Sequence, residues 1–140
     1  MRAILLICCV IMSQAIFGQS LDKYQWKHRL FLVFTEEAES NLLQEQLKLL
    51  KKKKEEFEER KLKLIHVIPG KQRELLPVQT QWQNSELFQQ KKKDSGFEVV
   101  LIGLDGGAKL REPKIVQPEE IFDLIDSMPM RQAEMRRKNN

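Results

Sequence analysis

The chain has 140 residues, of which 24 are Lys or Arg and 20 are Asp or Glu, for a formal net charge of +4. Its basic runs, at residues 51–54, 91–93 and 136–138, are short, and glutamates directly follow the first one. Such mixing is typical of the solvated face of a helix and argues against a nucleic-acid partner. The length suits one hydrophobic core and not two.

Residues 1–18 have the pattern of a secretory signal peptide. Arg2 precedes an apolar run over residues 3–12, and small or polar residues then lead to Gly18, which is the order of regions in such signals. A membrane-spanning helix needs roughly 20 apolar residues, about twice this run. We therefore expect cleavage near Gly18 and a periplasmic or secreted protein. The alternatives are an uncleaved anchor and, less in keeping with the pattern, lipidation of a cysteine in the run.

The two cysteines of the chain, Cys8 and Cys9, both lie in this segment. The expected mature domain, residues 19–140, would therefore have no disulfide and no cysteine metal site. Its formal net charge would be +3, because the signal removes Arg2 from a chain of charge +4. Thiol peroxidase or disulfide reductase activity is not expected, since both need a thiolate. An enzyme that uses no thiol remains an alternative.

The first half of the domain predicts a strand, a helix and a second strand. The run RLFLVFT at residues 29–35 is apolar almost throughout, which is typical of a strand covered on both faces. Thr35 can cap the helix that follows, in which leucines spaced three to five residues apart form one apolar stripe towards residue 60. A second buried strand is predicted at residues 61–70, where a Pro-Gly pair ends it.

The second half predicts a short helix, a hairpin and a final helix. Residues 71–84 look irregular, and residues 85–93 favour a short helix. Within residues 96–112, two extended runs flank Asp-Gly-Gly, a connection typical of a β-hairpin. The final helix opens at Pro118, because proline is tolerated in a first turn.

This order predicts an α/β fold with a mixed four-stranded sheet, β-α-β-α-β-β-α, and helices on both faces. The strand–helix–strand crossover gives parallel neighbours, and the hairpin adds an antiparallel pair. The order is that of the thioredoxin fold, so we expect a single thioredoxin-like domain over residues 19–140. Its usual reactive position, after the first strand, reads Thr35-Glu36-Glu37 and would oppose a thiolate.

Other residue types offer little specific chemistry. His66 lies within an apolar strand, where a core histidine is more common than a ligand. Trp26 and Trp82 are expected to cover the core. The pair Gly106-Gly107 leads into a strand and not a helix, so it predicts a turn and not a phosphate loop. We therefore expect no metal and no cofactor.

The segment DSMPMRQAEM, residues 126–135, combines a helix end with a proline and three methionines. Asp126 would lie in the last turn of the final helix, where a negative charge costs about 0.3–1 kcal/mol. Arg131 is the closest cation that could offset this cost. Ser127 can cap a new helix, with Pro129 in its first turn.

We predict an ion pair between Asp126 and Arg131 that locks the last helix against the hairpin turn at residues 105–109. Lys109 or Arg111 could also reach Asp126. One alternative is a kinked helix end whose methionines fill an irregular gap. Another is a surface kept for a partner.

The segments VLIGLDGGAKLR and IFDLIDSMPMRQAEMRR, here called the hairpin motif and the closing motif, resemble a family. It is the domain of unknown function of short exported bacterial proteins, shared with secreted animal proteins such as equarin and the sushi-repeat SRPUL group. The resemblance covers about residues 23–137, and the approach to the first strand, Trp26 to Arg29, also matches. Many members have a lysine in place of Leu104. The family has been described as peroxiredoxin-like with a thioredoxin fold, and this implies the fold but supplies no peroxidatic residue here.

The resemblance makes the matching residues candidates for a structural or binding role. Besides Gly103, they are Asp105, Gly106, Gly107, Lys109, Arg111, Asp126, Met128, Pro129, Met130, Arg131, Glu134 and Met135.

The sequence thus favours a non-catalytic exported module that binds another exported protein or an envelope component. The alternative is an enzyme with a non-thiol site, either at the Thr35–Glu36 junction or around Asp105, Asp126 and Arg131.

Overall fold

The computed structural model describes residues 21–92 and 94–140, so the predicted signal peptide lies outside the described residues. The strands are β1 (Arg29–Thr35), β2 (Leu62–Ile68), β3 (Lys71–Leu76), β4 (Gln83–Asn84), β5 (Phe97–Ile102) and β6 (Ala108–Glu112). The helices are α1 (Asn41–Leu50), α2 (Lys54–Glu59), α3 (Pro118–Asp126) and α4 (Pro129–Lys138), with a 3₁₀ turn at Leu87–Gln90.

The strands form one mixed sheet in the order β4-β3-β2-β1-β5-β6. Strand β1 pairs parallel with β2 and antiparallel with β5, and β5 pairs antiparallel with β6. The α/β class, the parallel pair and the hairpin are as predicted. The sheet, however, has six strands in the described residues and not four.

The two additional strands come from residues 71–84, which look irregular in the sequence because the residues there are mostly polar. These polar groups find partners within the fold. Ser85 Oγ donates to Gln72 Oε1 at 2.5 Å, and Glu74 accepts from the Tyr24 hydroxyl at 2.8 Å. A polar strand can therefore pair with β2 without an apolar alternation to reveal it.

The apolar residues of the central strand point to two sides of the sheet. Phe31 and Val33 of β1 face the cluster that contains residues of α1, α2 and α3. Leu30, Leu32 and Phe34 face the opposite side, where the 3₁₀ turn packs. Helices therefore lie on both faces as predicted, but within the described residues the helix on the second face is a 3₁₀ helix and not an α-helix.

The opposite face is covered by the turn at residues 21–27 and by the 3₁₀ turn, through Tyr24 and Leu87. The helix predicted at residues 85–93 is reduced to this four-residue turn, in which the Ser85 hydroxyl accepts from the backbone N–H of Leu87 at 3.0 Å. A single turn suffices there because Leu87 fills the space over the sheet.

The helical stretch after β1 also differs in detail from the prediction. Ser40 caps α1, with its hydroxyl accepting from the Leu43 N–H at 3.3 Å. The predicted single helix is interrupted between α1 and α2. Thr35 does not cap this helix, because α1 begins only at Asn41; the Thr35 hydroxyl instead donates to the carbonyl of Glu37 at 2.6 Å.

Candidate functional site

The two family motifs meet at the amino-terminal end of β1. Leu30 of β1 pairs with Ile102, so the turn after β5 lies beside Arg29. Arg29 itself pairs with Leu62, so the connection from α2 to β2 lies at the same end. This end of the sheet therefore collects segments that are distant in sequence.

The hairpin motif forms a turn that is closed by its own side chains. The backbone N–H of Gly103 donates to Gly107 O at 2.9 Å, and Gly106 adopts a left-handed φ of 84°. Asp105 accepts from the Gly107 N–H at 2.9 Å and from Lys109 Nζ at 2.9 Å. These bonds, that of Gly107 first, hold the pKa of Asp105 below its usual range.

A glycine at position 103 lets the lysine fold back over the turn. A Cβ there would lie 2.7 Å from Cε of Lys109 and 3.2 Å from Oδ1 of Asp105. Any side chain would displace the lysine from its pair with Asp105. The positions of Gly103, Asp105 and Lys109 in the hairpin motif are thus explained by packing within the turn.

The closing motif builds a sharp junction between α3 and α4. The last carbonyls of α3 are satisfied, since the N–H groups of Ser127 and Met128 donate to Asp123 O and Ile125 O at 3.1 and 2.9 Å. Met128, not Ser127 as predicted, takes the N-cap position of α4, because that helix begins at Pro129; the Ser127 hydroxyl donates back to Leu124 O at 2.6 Å. No side chain caps α4.

The predicted ion pair is present: Arg131 Nε donates to Asp126 Oδ1 at 2.9 Å. It does not lock the helix against the hairpin turn. Asp126 also accepts two bonds from Arg60, at 3.0 and 2.8 Å, and Arg131 donates to the carbonyl of Glu59 at 3.2 Å. The lock is therefore formed with the α2–β2 connection, where the fork of Arg60 matches the carboxylate.

The cations of the hairpin do not pair with Asp126, because each has another partner. Lys109 pairs with Asp105, and Arg111 pairs with the fully buried Glu98. Burial by itself would raise the pKa of Asp126, but hydrogen bonds from Arg60 and Arg131 hold it below its usual range.

Arg29 connects these ion pairs to strand β1. Its two terminal nitrogens each lie 3.3 Å from a carboxylate oxygen of Glu134, and Nη1 also donates to Arg60 O at 2.8 Å. Glu134 in turn lies 3.6 Å from Arg131. We call Arg29, Arg60, Asp126, Arg131 and Glu134 the arginine network.

One buried side-chain nitrogen of the network has no hydrogen-bond partner among the described residues. Arg29 is 1% exposed, and its Nε is a buried nitrogen without a hydrogen bond. The corresponding Nε atoms of Arg60 and Arg131 both donate to Asp126.

A cavity of about 290 Å³ lies between the two motifs, and Arg29 lines it. We call it the Arg29 cavity. The hairpin turn and the α3–α4 junction form its walls, with the residues Gly103, Leu104, Asp105, Lys109, Ser127, Met128, Pro129 and Met130.

Two exposed apolar side chains belong to this end of the molecule. Met130, which lines the cavity, is 44% exposed, and Trp26 is 61% exposed. Trp26 has a left-handed φ of 67°, and its N–H donates to the carbonyl of the cavity residue Leu104 at 2.7 Å. The expectation that Trp26 covers the core is therefore wrong, since its backbone is bonded to the hairpin turn and its side chain faces outwards.

The candidates fall into groups with different roles. Asp105, Lys109, Met128, Pro129 and Met130 line the Arg29 cavity, and Gly106 and Gly107 shape its turn. Asp126, Arg131 and Glu134 belong to the arginine network. Two candidates lie elsewhere, with Arg111 at a second cavity of about 350 Å³ and Met135 half-buried on α4 outside the Arg29 cavity.

Sequence reasoning missed the importance of Arg29 and Arg60. Arg29 had two signals, a charged residue opening an apolar strand and the family resemblance of the approach from Trp26 to Arg29. Arg60 had none, because its bond to Asp126 spans 66 residues.

The opposite end of β1 holds a buried hydroxyl–imidazole pair. Thr35 Oγ1 lies 2.7 Å from His66 Nε2, and both residues are buried. Because the Thr35 hydrogen goes to Glu37 O, the imidazole must donate to Thr35. Burial first, and Arg73 second, lower the pKa of His66 to about 4. The hydroxyl is thus not poised for attack by a neighbouring base.

Two features bear on cofactors and membranes. In residues 21–92 and 94–140, no three His, Cys, Asp or Glu side chains come together in a way that could hold a metal ion. None of the helices in this part of the chain combines the length and apolarity required to cross a membrane.

The comparison with known families gives one match, to the family described as Domain of unknown function (DUF4174), over residues 20–134. No curated protein and no solved structure matches the chain. The domain-of-unknown-function family predicted from the two motifs is thereby confirmed, whereas the likeness to equarin and sushi-repeat proteins stays a prediction.

Proposed function

The chain belongs to the DUF4174 family, and from this premise we propose that it is an exported, non-catalytic, thioredoxin-like module that binds another exported protein through the Arg29 cavity. The observation that carries the proposal is the meeting of the two family motifs across one cavity. Its walls are largely apolar, through Leu104, Met128, Pro129 and Met130. A concave apolar site with a few polar groups is the usual form of a binding site.

The exposed side chains at this end support a protein partner. Large exposed apolar residues beside a cavity are typical anchors of an interface. Among the described residues, four large apolar side chains are strongly exposed, and Trp26 and Met130 both belong to this end. A left-handed backbone at a tryptophan is uncommon and is often associated with function.

The chemistry of the polar groups favours binding over catalysis. Asp105 and Asp126 are both held in ion pairs, and the pKa of each carboxyl is lowered. A carboxylate of lowered pKa is a weak general base at neutral pH. At the other end of β1, the Thr35 hydroxyl donates to a carbonyl. Neither place proposed for an enzyme presents a free nucleophile beside a base.

The thioredoxin-like assignment draws its support from four neighbouring strands of the sheet. The order β2-β1-β5-β6, with one parallel and two antiparallel pairs, is the arrangement expected of that fold. In this reading, β3, β4 and the 3₁₀ turn replace the second helix. Export draws its support from the signal-like pattern of residues 1–18.

Site-specific photo-crosslinking in cells that naturally make the protein tests the proposal. A photoreactive residue is placed at Met130 or, as a matched control, at Leu42. Each is the second residue of its helix, and they are 44% and 42% exposed. We expect a discrete protein adduct from position 130 and none from position 42. No adduct at position 130, or the same adducts at both positions, would contradict binding through the cavity.

A further inference from the structure

We propose that the Arg29 cavity binds the free C-terminal carboxylate of a partner polypeptide whose last residue is apolar. The inference rests on the proposed function and names the part of the partner that the cavity takes. Three features support it: an unused buried donor, an uncapped helix and a lining of apolar side chains.

The unused donor is Nε of Arg29. Arg29 is 1% exposed and lines the cavity, and this nitrogen is a buried donor without an acceptor. Buried N–H groups in proteins are almost always bonded, so an unpartnered one in a residue that lines a cavity points to a ligand that accepts there. The acceptor must come from outside the network, because Glu134 and Arg60 O already occupy the terminal nitrogens.

The uncapped helix is α4, ten residues long, whose first residues Pro129 and Met130 line the cavity. Pro129 has no N–H, and the N–H of Gln132 donates to Met128 O. The first-turn donors without a partner within the helix are therefore those of Met130 and Arg131, and no side chain among the described residues caps them. The positive end of the helix dipole favours an anion there. The opposing carbonyls at the end of α3 are satisfied by Ser127 and Met128.

The polar groups of the lining agree with an anionic group of limited size. Arg29 and Lys109 are balanced in formal charge by Glu134 and Asp105, but Lys109 Nζ has donors beyond its one bond to Asp105. The two carboxylates nearest the site, Asp105 and Glu134, are already paired. The donors at the site therefore exceed the free acceptors.

The apolar walls and the volume of the Arg29 cavity indicate which kind of anion it would bind. Leu104, Met128, Pro129 and Met130 would contact an apolar group next to the carboxylate, which a free phosphate lacks. The volume of about 290 Å³ lies at the lower limit of the roughly 300–1,000 Å³ of small-molecule sites. It therefore suits the end of a longer chain, and capture of a C-terminal carboxylate by backbone donors is a known mode of peptide recognition.

Calorimetric titration of the purified exported protein tests the inference. The probe is the peptide acetyl-Gly-Gly-Leu with a free C-terminus, and its C-terminal amide is the matched control. Because charge-assisted hydrogen bonds are about twice as strong as neutral ones, we expect the acid to bind at least about tenfold more tightly than the amide. Equal affinity for acid and amide, or no binding of either, would overturn the inference.

Two further measurements test whether binding is specific to this site and to the end of a polypeptide. Met130→Asp should abolish binding of the acid, whereas Leu42→Asp, at the same position of another helix, should leave it unchanged. Loss in both variants would contradict the site. Octanoate tests a fatty acid as the source of the carboxylate, and tighter binding of octanoate than of the peptide would overturn the choice of a polypeptide end.

The outcome separates this inference from the proposed function. If position 130 crosslinks to a partner and an excess of the peptide acid does not compete, the inference fails while the proposed function stands. If position 130 gives no adduct, the proposed function itself fails.

Discussion

The two ends of β1 differ in what surrounds their buried polar groups. At the Thr35 end, the hydroxyl bonds to Nε2 of His66 and to a carbonyl, while Nδ1 of His66 is buried without a hydrogen bond among the described residues. At the Arg29 end, Nε of Arg29 is likewise buried without a partner in the described part of the chain, but Arg29 also lines a cavity and joins a network of ion pairs. The same strand therefore ends once in a contact among buried side chains and once beside a cavity.

This difference between the two ends of β1 indicates at which end we expect the functional site. The thioredoxin-like fold that we propose would direct attention to the Thr35 end, where that fold usually keeps its reactive residue. The family motifs, however, gather at the Arg29 end, since eight of the twelve candidates line its cavity or belong to the arginine network. Fold by itself does not locate function, and here the two point to opposite ends of the sheet.

The largest expected effect is on the network that holds the Arg29 end. Asp126→Asn removes the carboxylate from two arginines at once, so we expect the free energy of unfolding to fall by about 2–4 kcal/mol, somewhat below the cost for a fully buried pair. Asp105→Asn, which breaks an exposed pair with Lys109, should cost less than about 1 kcal/mol. Urea unfolding of both variants measures the difference.

The double variant refines this result. Arg131 keeps Glu59 and Glu134 as partners when Asp126 is lost. Arg131→Gln should therefore add to the cost of Asp126→Asn, but by less than its cost in the wild type, with a coupling of about 0.5–3 kcal/mol. Full additivity would mean that Asp126 and Arg131 do not stabilise each other.

The next effect concerns the Thr35 end and depends on pH. The pKa of His66 is lowered from 6.5 to about 4, so the folded state favours the neutral imidazole. The stabilisation is complete above pH 6.5 and is lost as the pH falls towards 4, by up to roughly 3 kcal/mol at 1.36 kcal/mol per pKa unit. Urea unfolding between pH 7 and pH 4.5 should show this loss in the wild type. A His66→Gln variant with the same pH dependence would exclude His66 as its source.

A smaller effect tests the packing of the hairpin turn. Gly106→Ala places a Cβ at a φ of 84° and should cost about 1–2 kcal/mol. Gly103→Ala displaces only the flexible end of Lys109 and should cost less than about 1 kcal/mol. Gly96→Ala, where nothing lies within 4 Å, is the control and should change little. Thermal unfolding orders the three, and equal losses would refute this account of the turn.

The smallest effect on stability should accompany a large effect on binding. Trp26→Gly removes an exposed side chain from a left-handed backbone, so its stability should stay within about 1 kcal/mol of the wild type. Crosslinking from position 130 to the partner should be much reduced. Normal crosslinking by this variant would remove Trp26 from the interface.

Much of the fold could be predicted because apolar periodicity marks β1, β2, the hairpin and α3. The polar strand β3 could not, since its glutamine and glutamate are satisfied by partners that only the folded chain supplies. The pair of Asp126 and Arg131 could be predicted from their closeness in sequence. Its anchor could not, because Arg60 reaches Asp126 across 66 residues and no local pattern marks such a contact.

The most direct test of the Arg29 cavity is a titration followed by NMR of the arginine Nε–H groups. Arg29, Arg60 and Arg131 belong to one network, and of these three only Arg29 has an Nε without a partner in the described part of the chain. On addition of acetyl-Gly-Gly-Leu as the free acid, the Arg29 Nε–H resonance should shift while those of Arg60 and Arg131 stay in place. An unchanged Arg29 resonance at saturating peptide, or equal shifts of all three, would contradict the assignment of the proposed binding site to this end of β1.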